Sequence, residues 1–229
     1  MSKDYKFRKD RNMKQIAIDG PAGAGKSTIA KQLSKDLGYV YIDTGAMYRT
    51  IALYCLKKEA DLDDEELISA LCSEAEIDIR YLDGVQHMFL GEEDVSEAIR
   101  TEQVSQAASA VSKYPKVRTR LVEMQRELAK QYDVVMDGRD IGTHVLPDAS
   151  LKIYLTASVD VRAERRYKEY LAKGLPCDLK EMKKDIAERD HNDMTREHSP
   201  LRKAEDAIEV DTSNMSIPEV VSTIRELIK

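Results

Sequence analysis

The 229-residue sequence contains no tryptophan and only two phenylalanines, so a buried interior has to be built from Ile, Val, Leu, Ala and Met. No segment approaches the roughly 18 consecutive apolar residues of a membrane-crossing helix, and the N-terminus lacks the apolar stretch of a secretory leader. A cytoplasmic protein is therefore expected. A basic excess is missing as well: the formal net charge is −6, which argues against non-specific nucleic-acid binding, where Lys and Arg must displace counterions along a phosphate backbone. Any phosphate bound by this chain has to be gripped locally. Cysteine is scarce. Cys55, Cys72 and Cys177 are widely spaced, with no CxxC and no His at a zinc-like distance, which excludes a disulfide framework and points to buried, reduced thiols. Internal repeats and low-complexity tracts are absent.

What is present is an alternation of short β-branched runs with longer helical patterns, the signature of an α/β fold with a parallel sheet of about five strands flanked by helices. Strands are expected at Gln15–Asp19, Tyr39–Ile42, Val134–Asp137, Leu151–Thr156 and Ile208–Val210. Apolar spacing predicts helices at Lys26–Leu37, Met47–Lys57, Pro115–Lys130, Val159–Ala172, Leu179–Asp193 and Ile217–Ile228. Between them, residues 59–95 read as an acidic insert of one small helix and a hairpin (Ile77–Tyr81, the turn pair Asp83-Gly84, Gln86–Leu90). Residues 160–203, rich in both charge signs, read equally as a mobile helical lid or as a solvated, salt-bridged helical pair. Residues 1–13 are polar and of mixed charge, as in a disordered extension or an alternative start.

One motif fixes the first substrate class. The strand Ile16-Ala17-Ile18-Asp19 runs into Gly20-Pro21-Ala22-Gly23-Ala24-Gly25-Lys26-Ser27-Thr28, which opens a helix. This is GxxxxGK[ST] in its required setting, a P-loop NTPase signature. Small residues let backbone N–H groups turn in around the β- and γ-phosphates of ATP, and the helix dipole adds to them. Lys26 supplies a full charge and Ser27 a hydroxyl suited to Mg²⁺. Asp137, ending a hydrophobic strand, stands where a carboxylate would hold the same ion through water. An NKxD guanine reader and an LSGGQ-like run are both absent, which leaves a small-molecule kinase as the expectation. The four His show no triad or metal spacing, and His144 is expected to be a packing residue.

After the second strand, Asp43-Thr44-Gly45-Ala46-Met47-Tyr48-Arg49 brings together a hydroxyl, a glycine and an arginine suited to a second phosphate. With GPAGAGKST, RTEQVSQAASAVSKYPKVR, DGRDIGT and ERDHNDMTR, all in order, the chain from about Lys14 to Lys229 resembles the bacterial cytidylate kinase family. The resemblance implies a single P-loop domain over 14–229 and transfer of the ATP γ-phosphate to CMP and dCMP with Mg²⁺, by a protein that works as a monomer. It implies further that Thr44, Arg49 and Arg139 hold the acceptor's phosphate, that Ser109, Arg118 and Asp140 read the base, and that Arg189 and Asp193 contact sugar and phosphate. Arg196 would reach toward the transferring group, and Lys26, Arg139, Arg189 and Arg196 form the catalytic set.

Residue chemistry agrees with that implication. Cytosine offers an amino donor beside two acceptors, so one carboxylate and one guanidinium suit it, as Asp140 and Arg118 would. Transfer from one phosphate to another calls for charge stabilisation by arginines, here Arg49, Arg139, Arg162, Arg166, Arg189 and Arg196. Arg162 and Arg166 are four apart and could close on ATP, although a surface salt-bridge stripe has the same spacing. Another small-molecule acceptor, such as UMP or shikimate, and a nucleotide-dependent switch that docks partners through the acidic insert remain as alternatives.

Overall fold

The computed structural model describes residues 13–228; the N-terminal extension, Met13 apart, lies outside the described residues. Along the chain run β1 (Gln15–Asp19), α1 (Lys26–Leu37), β2 (Val40–Asp43), α2 (Thr44–Lys57), α3 (Glu65–Glu74), β3 (Ile77–Leu82), β4 (Val85–Leu90) and β5 (Glu93–Asp94). There follow α4 (Glu102–Val111), α5 (Pro115–Gln131), β6 (Val134–Gly138), β7 (Leu151–Thr156), α6 (Val159–Ala172), α7 (Leu179–Thr195), β8 (Ile208–Asp211) and α8 (Ile217–Glu226). A parallel sheet of five strands, in the order β2-β6-β1-β7-β8, is flanked by helices as in P-loop NTPases. β6 is buried at every position, which is why Val134, Val135 and Met136 follow one another as apolar residues rather than alternating with polar ones.

The chain resolves into two compact units. One comprises 15–39 and 135 to the C-terminus. Its strands register with Ile16 opposite Leu151 and Ile18 opposite Ile153, and β7 continues into β8 with Leu155 opposite Val210. Ile16, Ile18, Leu33, Met136 and Leu155 are all at most 2% exposed. The segment rich in both charges is here a packed pair of helices, α6 and α7, which enclose Ala163, Met182 and Ile186. α8 opens with a capping box in which Ser216 and Glu219 satisfy each other's backbone.

The other unit comprises 40–134 with the described residues up to Lys14. Its core gathers Met47, Ile51 and Cys55 of α2, Ile68 and Cys72 of α3, Met88 of β4, Ile99, Val104 and Leu121. The acidic insert forms helix and hairpin as its sequence suggests, β3 pairing antiparallel with β4 and β5 adding a third short strand. Asp83 and Gly84 both have positive φ, 50° and 78°, the tight two-residue turn whose twist matches the strands it joins.

Several boundaries differ from expectation. α2 starts at Thr44 rather than Met47, because the Asp43 carboxylate accepts the Ala46 N–H and caps the helix there. Helix α4 is an addition: its buried face, Val104, Ala107, Ala108 and Val111, is helically spaced but mostly small, which weakens the apolar signal. His144, expected to pack, is exposed on a single π-turn, Ile141–Val145. Cys55 and Cys72 are buried while Cys177 is only partly so. Burial, followed by the neighbouring Cys72, pushes the Cys55 thiol up to about 11, which keeps it unreactive.

Candidate active site

The donor loop is shaped by its first residue. Gly20 has φ 146°, and a Cβ there would stand 1.9 Å from the carbonyl oxygen of Leu155 on β7; a side chain is excluded by conformation and by space alike. Lys26 is buried at 6% exposure and its Nζ donates to the Pro21 carbonyl at 2.7 Å. Burial, and after it the Arg139 guanidinium, holds the Lys26 ammonium well below its ordinary range. Incoming phosphate charge would reverse that. Ser27 Oγ donates to Asp137 Oδ2 at 2.9 Å, so the hydroxyl and carboxylate named from sequence stand side by side.

Arg162 is not a solvent-facing arginine. It is 3% exposed, with Nε on the Ala157 carbonyl at 2.9 Å, Nη1 on the Ala22 carbonyl at 3.0 Å and Nη2 on Asp190 Oδ2 at 2.6 Å. Its guanidinium therefore pins the donor loop to α6 and α7. Arg166, one turn on, is partly buried and stacks at 5.5 Å on the ring of Tyr170.

Around the DGRDIGT turn, Arg139 Nε donates to Asp193 Oδ2 at 2.8 Å. Burial works against the Asp193 carboxylate, yet Arg139, with Arg189 and Arg196, carries it below the usual carboxylate range. Arg196 forks the Ser199 carbonyl at 2.8 and 2.5 Å and lies 3.7 Å from Asp140 and 3.9 Å from Asp193. Arg139, Asp140, Asp193 and Arg196 are thus one cluster. Sequence reasoning assigned nothing to Asp19, which supports it: its two carboxylate oxygens accept the N–H groups of Ile141 and Gly142, each at 2.7 Å, directly after Arg139 and Asp140. Burial pushes the Asp19 carboxyl up to about 6 despite those two bonds. An acidic residue ending a strand immediately before a phosphate loop was the available signal.

The residues named for the acceptor in the other unit form two groups. Thr44 is buried at the start of α2, and Arg49, one turn on, places Nη2 3.0 and 3.2 Å from the two oxygens of Asp43. Gly45 matters for its lack of a side chain: a Cβ would come within 3.0 Å of Arg49 Nη1 and 3.2 Å of Asp43 Oδ1. Two braces escaped the sequence reading: Gln86 Oε1 accepts the Asp43 N–H at 2.8 Å, and Arg100 Nη1 reaches Asp43 Oδ2 at 3.0 Å. In the second group Arg118, 4% exposed, donates to the Ser112 carbonyl at 3.2 Å, while Ser112 Oγ donates to the Ser109 carbonyl at 2.9 Å. Ser112 thereby ties Ser109 to Arg118, and the Arg118 guanidinium sits 5.6 Å from the Tyr48 ring.

Chemically, the two units present a cation-lined phosphate loop with adjacent hard oxygen donors, an arginine–aspartate cluster, and a helix N-terminus carrying arginines. The family model described as Cytidylate kinase matches residues 16–229. The Cytidylate kinase of Geobacillus sp. (strain WCH70) is 52% identical over 218 residues, covering 95% of this chain and 97% of that one. That of Caldicellulosiruptor bescii is 55% identical over 212 residues, 93% and 94% of the respective chains. Among solved structures, a protein from Eubacterium ventriosum superposes with a TM-score of 0.52 at 14% identity, over 95% of this chain and 98% of that one; this likeness concerns the fold alone.

Proposed function

The chain belongs to the cytidylate kinase family and is an ATP-dependent kinase of CMP and dCMP, and on that footing we propose which residues hold each substrate and carry the transfer. ATP lies along Gly20–Thr28, its phosphates held by the loop's N–H groups and by Lys26, with Arg162 fixing the loop through Ala22 and Arg166 on the same helix facing the donor. Ser27 and Asp137, two hard oxygen donors 2.9 Å apart, suit a Mg²⁺ that keeps most of its waters. When bound there, such an ion would supply neutralisation of phosphate charge.

CMP presents its phosphate to Thr44, Arg49 and Arg139, its base to Ser109, Arg118 and Asp140, and its sugar to Arg189 and Asp193. The acceptor oxygen already ionises, with a second pKa near 6, so no strong general base is needed. Lys26, Arg139, Arg189 and Arg196 stabilise charge on the equatorial oxygens as the phosphoryl group passes. Asp193 keeps Arg139 oriented until a phosphate competes for it. Residues 160–203 act as the lid that excludes water, and the enzyme works as a cytoplasmic monomer.

The observation that carries the cytosine reading is a buried carboxylate, Asp140 at 5% exposure, fixed in the same turn as Arg139. Turnover with CMP, dCMP, UMP, AMP and GMP tests it: CMP and dCMP are expected to lead, and a preference for AMP or GMP would overturn it. Asp140→Ala is expected to raise KM for CMP by about ten-fold or more, as a lost hydrogen bond to the exocyclic amine requires, with KM for ATP little changed.

A further inference from the structure

Arg100 ends a single 3-10 turn, Ala98–Arg100. Its Nη1 lies 3.0 Å from Asp43 Oδ2, the oxygen that Arg49 Nη2 also reaches at 3.0 Å. Two guanidiniums therefore share one carboxylate at the N-terminus of α2, where the helix's peptide N–H groups add positive potential. Asp43 is the one charged group that Arg100 meets among the described residues. An arginine with a side chain 47% exposed gains little from half of a shared carboxylate, and most of its five donors stay available. Gly45 keeps the space beside this cluster clear of any Cβ.

We propose that Arg100 is a further guanidinium for the acceptor's phosphate, held beside Arg49 by their common carboxylate. The inference rests on the reading that this phosphate docks at Thr44 and Arg49. A phosphate dianion has enough oxygens for each arginine to fork it while Asp43 keeps both side chains in place. Burial disfavours the Asp43 charge, but Arg49 and Arg100 together hold its carboxyl below the usual range, so the carboxylate stays ionised as their anchor. Without that anchor the two cations would repel each other whenever the acceptor is absent.

The test compares binding of CMP with binding of cytidine, which lacks the phosphate, by calorimetry and by competition, in the wild-type protein and in Arg49→Ala, Arg100→Ala and Arg100→Lys. Arg100→Ala is expected to weaken CMP about ten- to hundred-fold, the loss typical of a charge-assisted hydrogen bond, while cytidine and the KM for ATP stay within about two-fold. Arg100→Lys, which retains the charge, is expected to recover part of the loss. If Arg49→Ala weakens CMP and Arg100→Ala does not, the role of Arg100 is overturned and the acceptor site stands. If neither weakens CMP, the acceptor site lies elsewhere and the inference falls with it. Equal weakening of CMP and cytidine by Arg100→Ala also overturns it, because the residue would then only support the surrounding fold.

Discussion

Asp19 shows what one buried carboxylate can do at a distance from substrate. It holds the backbone after Arg139 and Asp140 through two 2.7 Å bonds, and only the ionised form can accept both. Its folded pKa, about 6, lies above the ordinary 3.8, so the folded protein binds this proton more tightly than the unfolded chain does. The contribution of Asp19 to stability consequently falls as pH rises from about 4 to about 6 and is level above that, a total of about 3 kcal/mol at most. Lys26 and Asp140 face the same group and set the shift in part. Urea midpoints measured every half unit from pH 4 to 7 should show wild-type losing stability against Asp19→Asn across this window; a constant difference would refute the assignment. Asp43, with its lowered pKa, acts in the opposite sense and loses its contribution only as pH falls below the ordinary carboxylate range. The place of Asp19 at a strand end before a phosphate loop marks it in the sequence, but its partners more than a hundred positions away are not legible there, and nothing local to Arg100 or Gln86 announces Asp43.

Elements were easier to foresee where one period dominates. β1, α1, β7 and α6 have the expected ends because each carries a clear apolar rhythm and a stop or start signal, such as Gly38 after α1 or Ser158 before α6. α2 was foreshortened because Thr and Gly at its start look like a loop, and only the cap made by Asp43 reveals that they are helical. α4 escaped because alanines pack closely without a strong apolar stripe. Caps outside the site offer a clean check on this account. Asp64 accepts the Leu67 N–H at 3.0 Å at the start of α3, and Asp64→Ala should cost about 1 kcal/mol in denaturant unfolding while both KM values stay unchanged.

At the scale of the whole molecule, each compact unit keeps its own apolar interior, so stability and chemistry can be perturbed apart. Ile68, fully buried beneath α2 and far in sequence from every named site residue, should cost about 2–5 kcal/mol on replacement by Ala, seen as a lower urea midpoint; the KM for CMP of the fraction still folded should match wild-type. The fold class was legible because its strands and helices carry contiguous apolar runs. The clamp by which Arg162 holds Ala22 was not, since spacing on one helix cannot say which partner a guanidinium meets. Gly20 carries a different kind of consequence. With the Leu155 carbonyl 1.9 Å from where a methyl group would go, every missense codon one base away from glycine introduces atoms for which there is no room. In a randomised gene library selected for retained kinase activity, this codon should accumulate synonymous changes only.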